Sequence, residues 1–434
     1  MPPRGDERAM ITRRTILGAT PAAMAALPAH AQDNGALISQ SLALLDRQAD
    51  LRTGGAGDLA VADQVRANLR AAGFRTSSQR VDAPAFDARR AALVWAGGEV
   101  AVEPQPIVRT TGAGGVRGAL RLWRDASDTA MMADAIALVM LPMGRHSQLL
   151  GEPIRSILAQ VAGAAPRGIV LVTNGPTGET IMLNAPIDGA GLPAIPIAVL
   201  GPKPGAGALS VARAGGEATL IIDGDVRRVR SPNIWGAIER DAPYLVVSTP
   251  RTAWTRAVAE RGPGLAAFNA LAAWAPQALP AHSLMFVSTT AHEYDNAGSH
   301  MFFERHAPPP DRVALWLHLG AGFAARDFHE VGRFALAPLP SPDPQRFLLG
   351  SDTLVAILRQ AFAGQIGLEA AYPASAGAAG ELGEVLARGY APAFGLFAAH
   401  RYHHVEQDRV DKTDPDWIQA AIDALKVTLA RALG

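Results

Sequence analysis

The chain has 434 residues, 49% of them hydrophobic and 18% charged, and its 40 basic and 40 acidic side chains give a formal net charge of zero. That length buries a large core and fits two domains, while the charge balance argues against a broad phosphate-binding face. No stretch interleaves aromatic and basic residues as nucleic-acid binders do, and the absence of cysteine excludes disulfides, thiolate zinc sites and a cysteine nucleophile, leaving His, Asp and Glu as metal ligands.

Residues 1–31 read as a twin-arginine export signal: Thr12-Arg13-Arg14-Thr15-Ile16-Leu17 precedes a small-residue apolar run, and Ala29-His30-Ala31 offers a small-x-small cleavage site. The run is short and interrupted by Pro21 and Pro28, so no permanent membrane span is expected. The predicted location is periplasmic or secreted. Residues 36–73 follow a helical pattern, with Asp58 a candidate cap for a helix carrying Val61, Val65 and Leu69 on one face, and Gly73 as its stop. A strand over 91–96 and a glycine-rich turn over 112–118 come next.

Residues 118–225 have the pattern of an inserted module: strands at 136–141, 168–173, 195–200 and 220–223, and a helix at 154–162. Arg227-Arg228-Val229-Arg230-Ser231-Pro232-Asn233 reads as a linker. Strands at 244–248, 284–289 and 313–319 and helices at 265–274, 353–362 and 416–433 complete an α/β chain with a mostly parallel sheet covered by helices on both faces. The predicted division is a main domain over 32–117 and 226–434 with the insert over 118–225.

The strand at 284–289 delivers His292-Glu293 to its carboxyl end, followed by Gly298-Ser299 and a further element. In open α/β sheets this end of a strand carries the chemistry. No Gly-x-Ser-x-Gly elbow ends a strand, and Gly112-Ala113-Gly114-Gly115 lacks the Lys-Ser/Thr of a phosphate loop.

With these motifs in order, the chain resembles the zinc exopeptidase family of aminopeptidases and glutaminyl cyclases. The resemblance is carried by Arg52-Thr53-Gly54-Gly55-Ala56-Gly57-Asp58, by Ala71-Ala72-Gly73-Phe74 and by Ser231-Pro232-Asn233-Ile234-Trp235-Gly236. Within the insert, 163–170 and Ile195-Pro196-Ile197-Ala198-Val199 are similar to a protease-associated domain. The family's two-zinc site maps only in part. Its His-x-Asp falls on Pro250 and Thr252, its bridging Asp on Ala259 or Glu260, and its Glu-Glu pair on His292-Glu293. Its later Asp falls on His318, and its final His on His404, in Tyr402-His403-His404-Val405-Glu406-Gln407-Asp408.

The resemblance therefore implies one zinc ion held by Glu293, His318 and His404, with His292 as general base, acting on a peptide or amide substrate. The alternative is a catalytically silent relative that binds a peptide or protein partner through the same crevice. Blander expectations stand beside these. His318 is a core histidine satisfied by one hydrogen bond, and Glu260-Arg261 is an ion pair at a helix start. Of the adjacent His403 and His404, at most one faces the site, because neighbours on an extended segment point oppositely. Glu381 and Glu384 are a solvated surface.

Overall fold

The computed structural model describes residues 34–378 and 380–434; the expected export signal lies outside them. Four strands form the parallel heart of the sheet, in the order Ala393–Ala398, Val313–Leu319, Tyr244–Pro250, Ser283–Thr289. Their side chains alternate between two covered faces. Leu245, Val247, Leu284, Phe286, Leu315 and Leu317 pack under the helices Asn34–Arg47, Ala56–Ala71, Val258–Ala278 and Pro415–Leu433. Val246, Met285, Val287 and Trp316 point the other way, against Phe302 of Ala297–Arg305 and Leu382 and Val385 of Gly380–Ala387. This period of two, apolar in both phases, is what burial on both faces demands. The expected α/β scaffold with helices on both sides is the fold found.

Helix Val258–Ala278 is buried along most of its length, as its alanine-rich sequence without a polar stripe requires. Its first turn carries Glu260 and Arg261, and both are buried. Helix Ala56–Ala71 starts differently from the expectation. Its N-cap is Gly55, and Asp58 lies in the first turn, accepting the Gly54 N–H at 2.8 Å and the Arg251 Nε–H at 2.8 Å.

Two strands are far longer than the sequence suggested. Arg75–Trp95 and Glu217–Ile238 pair antiparallel from end to end. One end of this ribbon joins the parallel strands through Ser283–Thr289; the other joins Val116–Trp123. The expected linker at 227–233 is thus strand interior. Burial alternates along it, with Val229, Ser231 and Asn233 inside and Arg228 and Arg230 outside, and the arginines face carboxylates of the partner strand, Arg227 at Asp87 and Arg230 at Asp82. Opposite charges across a ladder make an arginine-rich run a workable strand.

Beyond the ribbon, Val116–Trp123, Ile136–Met140, Gly168–Val172 and Ile197–Leu200 continue the sheet in parallel order, with helices Ile154–Gly163 and Ala206–Arg213 against them. The proline-rich hairpin Arg326–Gly332 and Ala335–Pro342, unforeseen in the sequence, forms a separate two-stranded sheet. No helix among the described residues is long and apolar enough to cross a membrane.

Candidate metal centre

The carboxyl ends of the four parallel strands converge, and each supplies a polar loop. After Tyr244–Pro250 comes Arg251, wholly buried, which donates to Asp58 Oδ1 at 2.8 Å, Ser231 Oγ at 2.9 Å, the Ser288 carbonyl at 3.1 Å and the Pro232 carbonyl. It ties the helix start, the ribbon and two strand ends together. After Ser283–Thr289 the chain hooks sharply, with Ala291, Asp295 and Asn296 in the left-handed region. Gly298, in the first turn of the next helix, lies so close to the strand that an added Cβ would be 2.0 Å from the Thr290 carbonyl oxygen.

Inside that hook Glu293 is buried, and both its oxygens are occupied. Oε1 accepts from Thr53 N–H and Thr53 Oγ1, each at 2.7 Å, and Oε2 accepts from Thr252 Oγ1 at 2.6 Å. His292 turns elsewhere: its Nδ1 lies 3.3 Å from Glu381 Oε1. Glu381 is only 2% exposed, so the expectation of a solvated surface fails for it; helix Gly380–Ala387 carries it under the strand ends. Burial acts to raise its carboxyl, but the His292 hydrogen bond and the charges of His318, His292 and Arg261 outweigh this, and the net direction is down.

His318 lies 3.0 Å by Nδ1 from Ser248 Oγ and 3.8 Å from Glu381 Oε2. Trp316 Nε1 donates to the same serine oxygen at 2.9 Å. Burial pushes the imidazole down to about 4, so it is neutral near pH 7. This matches the core-histidine reading.

The fourth loop, after Ala393–Ala398, carries His400, His403 and His404. His404 sits at φ +58°, so alternation along an extended chain does not apply. The rings of His403 and His404 stack at 3.9 Å with 20° between planes, and both face Glu260. That corrects the expectation that at most one would face the site. His404 Nε2 is 3.4 Å from Glu260 Oε1, and His403 Nδ1 is 3.9 Å from Glu260 Oε2. Among the described residues, Glu260, His403 and His404 are the one group of three whose ligand atoms all lie within 4.8 Å of one another.

The three residues anticipated for one metal therefore go to different partners: Glu293 to threonines, His318 to Ser248, and His404 to Glu260. The physical reason is local. Short hydroxyl side chains at Thr53 and Thr252 close on Glu293 before any imidazole reaches it.

Several features make the Glu260 cluster fit a metal. His404 Nδ1 lies 2.8 Å from the Met182 carbonyl, which only accepts, so Nδ1 carries a proton and Nε2 is the ring nitrogen turned toward Glu260. A backbone carbonyl behind a ligating histidine is a usual arrangement. Burial, then the neighbouring His404, holds His403 well below its ordinary range, leaving it neutral with Nδ1 unpartnered. Glu260 Oε1 likewise lacks a hydrogen bond. One carboxylate and two imidazoles form a His-His-Glu set, which would suit a metal ion such as zinc with one position left open. Tetrahedral bonds of roughly 2.0–2.1 Å would put ligand atoms about 3.3 Å apart, close to the 3.4 Å contact; the 3.9 Å contact would have to close and the stacked rings turn apart for both to meet one ion.

Arg261 adds a buried cation. Its Nε donates to the Thr252 carbonyl at 2.8 Å, and its Nη2 lies 2.9 Å from Glu260 Oε1 without hydrogen-bond alignment, so both terminal nitrogens lack hydrogen-bond partners. The expected Glu260–Arg261 ion pair is present. Burial acts to raise Glu260, but Arg261, His403 and His404 hold it well below the carboxylate range. Behind the pair, Asp408 accepts the Ala259 and Glu260 backbone N–H groups at 3.0 and 2.9 Å and so caps the helix. Glu260, His403 and Glu381 were set aside in the sequence; the histidine density of the loop after 398 was the one signal that pointed to them.

No family model and no curated protein sequence matches the chain, but solved structures do. The zinc aminopeptidase BSAP from Bacillus subtilis superposes with a TM-score of 0.69 at 15% identity, covering 92% of this chain and 94% of that one. A peptidase M28 precursor from Shewanella amazonensis gives 0.66 at 16%, covering 92% and 95%. An aminopeptidase from Aneurinibacillus sp. strain AM-1 gives 0.64 at 14%, covering 92% and 93%. At such identities the likeness defines the fold. The chain has a zinc-exopeptidase-like fold over nearly its whole described length.

Proposed function

We propose that this chain is an exported, aminopeptidase-like hydrolase of peptide or amide bonds with a single metal ion held by Glu260, His403 and His404. The carrying observation is the group of three converging ligand atoms at the carboxyl ends of parallel strands, two of them without a hydrogen bond. When bound, zinc would supply a Lewis acid and a water of lowered pKa. His292 is the proposed general base: its Nδ1 faces Glu381, which orients the ring and leaves Nε2 to accept a proton. Glu293 braces the loop that carries His292, and His318 packs near Glu381 on its other side. In this reading residues 118–225 act as a protease-associated module flanking the crevice, and residues 1–31 direct export.

Metal analysis of the full-length protein with an aminoacyl-anilide assay tests the reading. About one equivalent of zinc is expected, lost together with activity in Glu260→Gln and His404→Ala. Substoichiometric zinc that neither substitution changes would refute it. One observation favours the silent alternative: the Arg261 guanidinium already faces Glu260, and a resident cation opposes a second. If Arg261→Met, and not the parent protein, binds zinc, the chain is a peptide-binding relative whose arginine stands in for the metal.

A further inference from the structure

A cavity of about 610 Å³ lies between the ribbon, the strand Glu103–Pro104 and the loop after His404, a volume suited to a small organic ligand or peptide side chains. It adjoins the candidate centre, because two of its lining residues, Thr53 and Met182, also bond Glu293 and His404. Phe86, Ile107, Trp254 and Tyr294 give it an apolar wall, with the last two rings edge to face at 5.5 Å.

The charges on that wall are unbalanced. Asp50 is paired with Arg52 at 2.9 Å, Asp87 with Arg227, and Glu179 with Lys203 at 2.8 Å. Two carboxylates remain. Glu103 forms no side-chain hydrogen bond or ion pair among the described residues, and Glu406 has only a 3.9 Å contact with the exposed Arg409. Both acids are solvent-exposed at the cavity mouth; the atoms crowded around Glu103 raise its carboxyl, Arg52 opposes this, and Glu406 adds repulsion. Two acids without a close basic partner on the wall of one aromatic-lined cavity complement an organic cation.

We propose that this cavity binds a basic peptide side chain, its guanidinium or ammonium group between Glu103 and Glu406 and its methylenes against Ile107 and the Trp254–Tyr294 pair. The inference rests only on the peptide-binding part of the proposed function, which the hydrolytic and silent readings share. Binding without turnover therefore tests it separately from catalysis.

Calorimetry on the full-length protein, with chelator present, compares the tripeptide Ala-Arg-Ala with its citrulline analogue, which has the same shape and no charge. A charge-assisted bond in a partly enclosed site predicts about tenfold or greater preference for the arginine peptide. Glu103→Gln or Glu406→Gln should reduce that preference to about twofold or less. The control Glu239→Gln, at an exposed residue paired with Arg75, should leave it unchanged. Equal affinity for the two peptides, no binding of either, or a preference unaffected by Glu103→Gln overturns the proposal, whatever the zinc content proves to be.

Discussion

Replacing Arg251 with Met tests how the strand ends are held. Arg251 and Asp58 are both 0% exposed, and their contact is 2.8 Å. In the variant Asp58 retains a single hydrogen bond, from Gly54 N–H, and the Ser288 and Pro232 carbonyls lose their donor. Breaking a buried ion pair by removing one partner costs about 3–5 kcal/mol, and the loss of the carbonyl hydrogen bonds from Arg251 acts in the same direction. A loss of about 4 kcal/mol is a large share of the roughly 5–15 kcal/mol that keeps a domain folded. Urea unfolding followed by tryptophan fluorescence measures it. Arg251→Met/Asp58→Asn should be more stable than the sum of the single changes allows, by about 1–3 kcal/mol of coupling. A loss below about 1 kcal/mol, or a strictly additive cycle, would refute the reasoning that this pair is a buried tie.

Zinc at a hundredfold excess over its dissociation constant should stabilise the protein by about 2.7 kcal/mol. For a folded unit of about 400 residues that raises Tm by about 3 °C, a shift that Glu260→Gln should abolish in a thermal scan. His318 makes stability depend on pH. Its folded value is about 4, against about 6.5 when unfolded, so the unfolded chain takes the proton first as pH falls. Its contribution is complete above about pH 6.5 and is lost progressively toward pH 4. Between pH 7 and 4.5 this amounts to about 2–3 kcal/mol, and His318→Gln should narrow the gap by that much; an unchanged gap would sink the assignment. Phe268→Ala, at a wholly buried residue of the central helix, should cost about 3–5 kcal/mol in the same unfolding assay.

The sequence carried the scaffold well because its parallel strands are apolar in both phases and its helices are punctuated, as at Gly73. It hid the ribbon, because an arginine run beside Pro232 looks like solvated linker until the facing aspartates of Arg75–Trp95 are known. It placed His292, Glu293, His318 and His404 at strand ends, yet not their pairing. Which histidine meets which carboxylate depends on a left-handed turn at His404 and on threonines that arrive from residues 53 and 252. Such contacts between distant segments leave no local pattern. Glu260 was the hardest to recognise, since a carboxylate in the first turn of a helix beside an arginine has an ordinary explanation in the helix dipole.

Charge at the strand ends reconciles that ordinary ion pair with a metal. Glu260, Glu293, Glu381 and Asp58 are buried there against only two buried guanidiniums, Arg251 and Arg261. His318 and His403 are held neutral by burial, and Asp408 is pushed upward by burial and by Glu260. With Asp408, the buried acidic groups there outnumber the two guanidiniums, and unpaired buried charge is costly. One divalent ion at the proposed Glu260, His403 and His404 site would offset them. Arg261 thus need not displace the metal. In the proposed site it would supply part of the positive charge that two ions provide in a dinuclear site, so that a single ion would suffice.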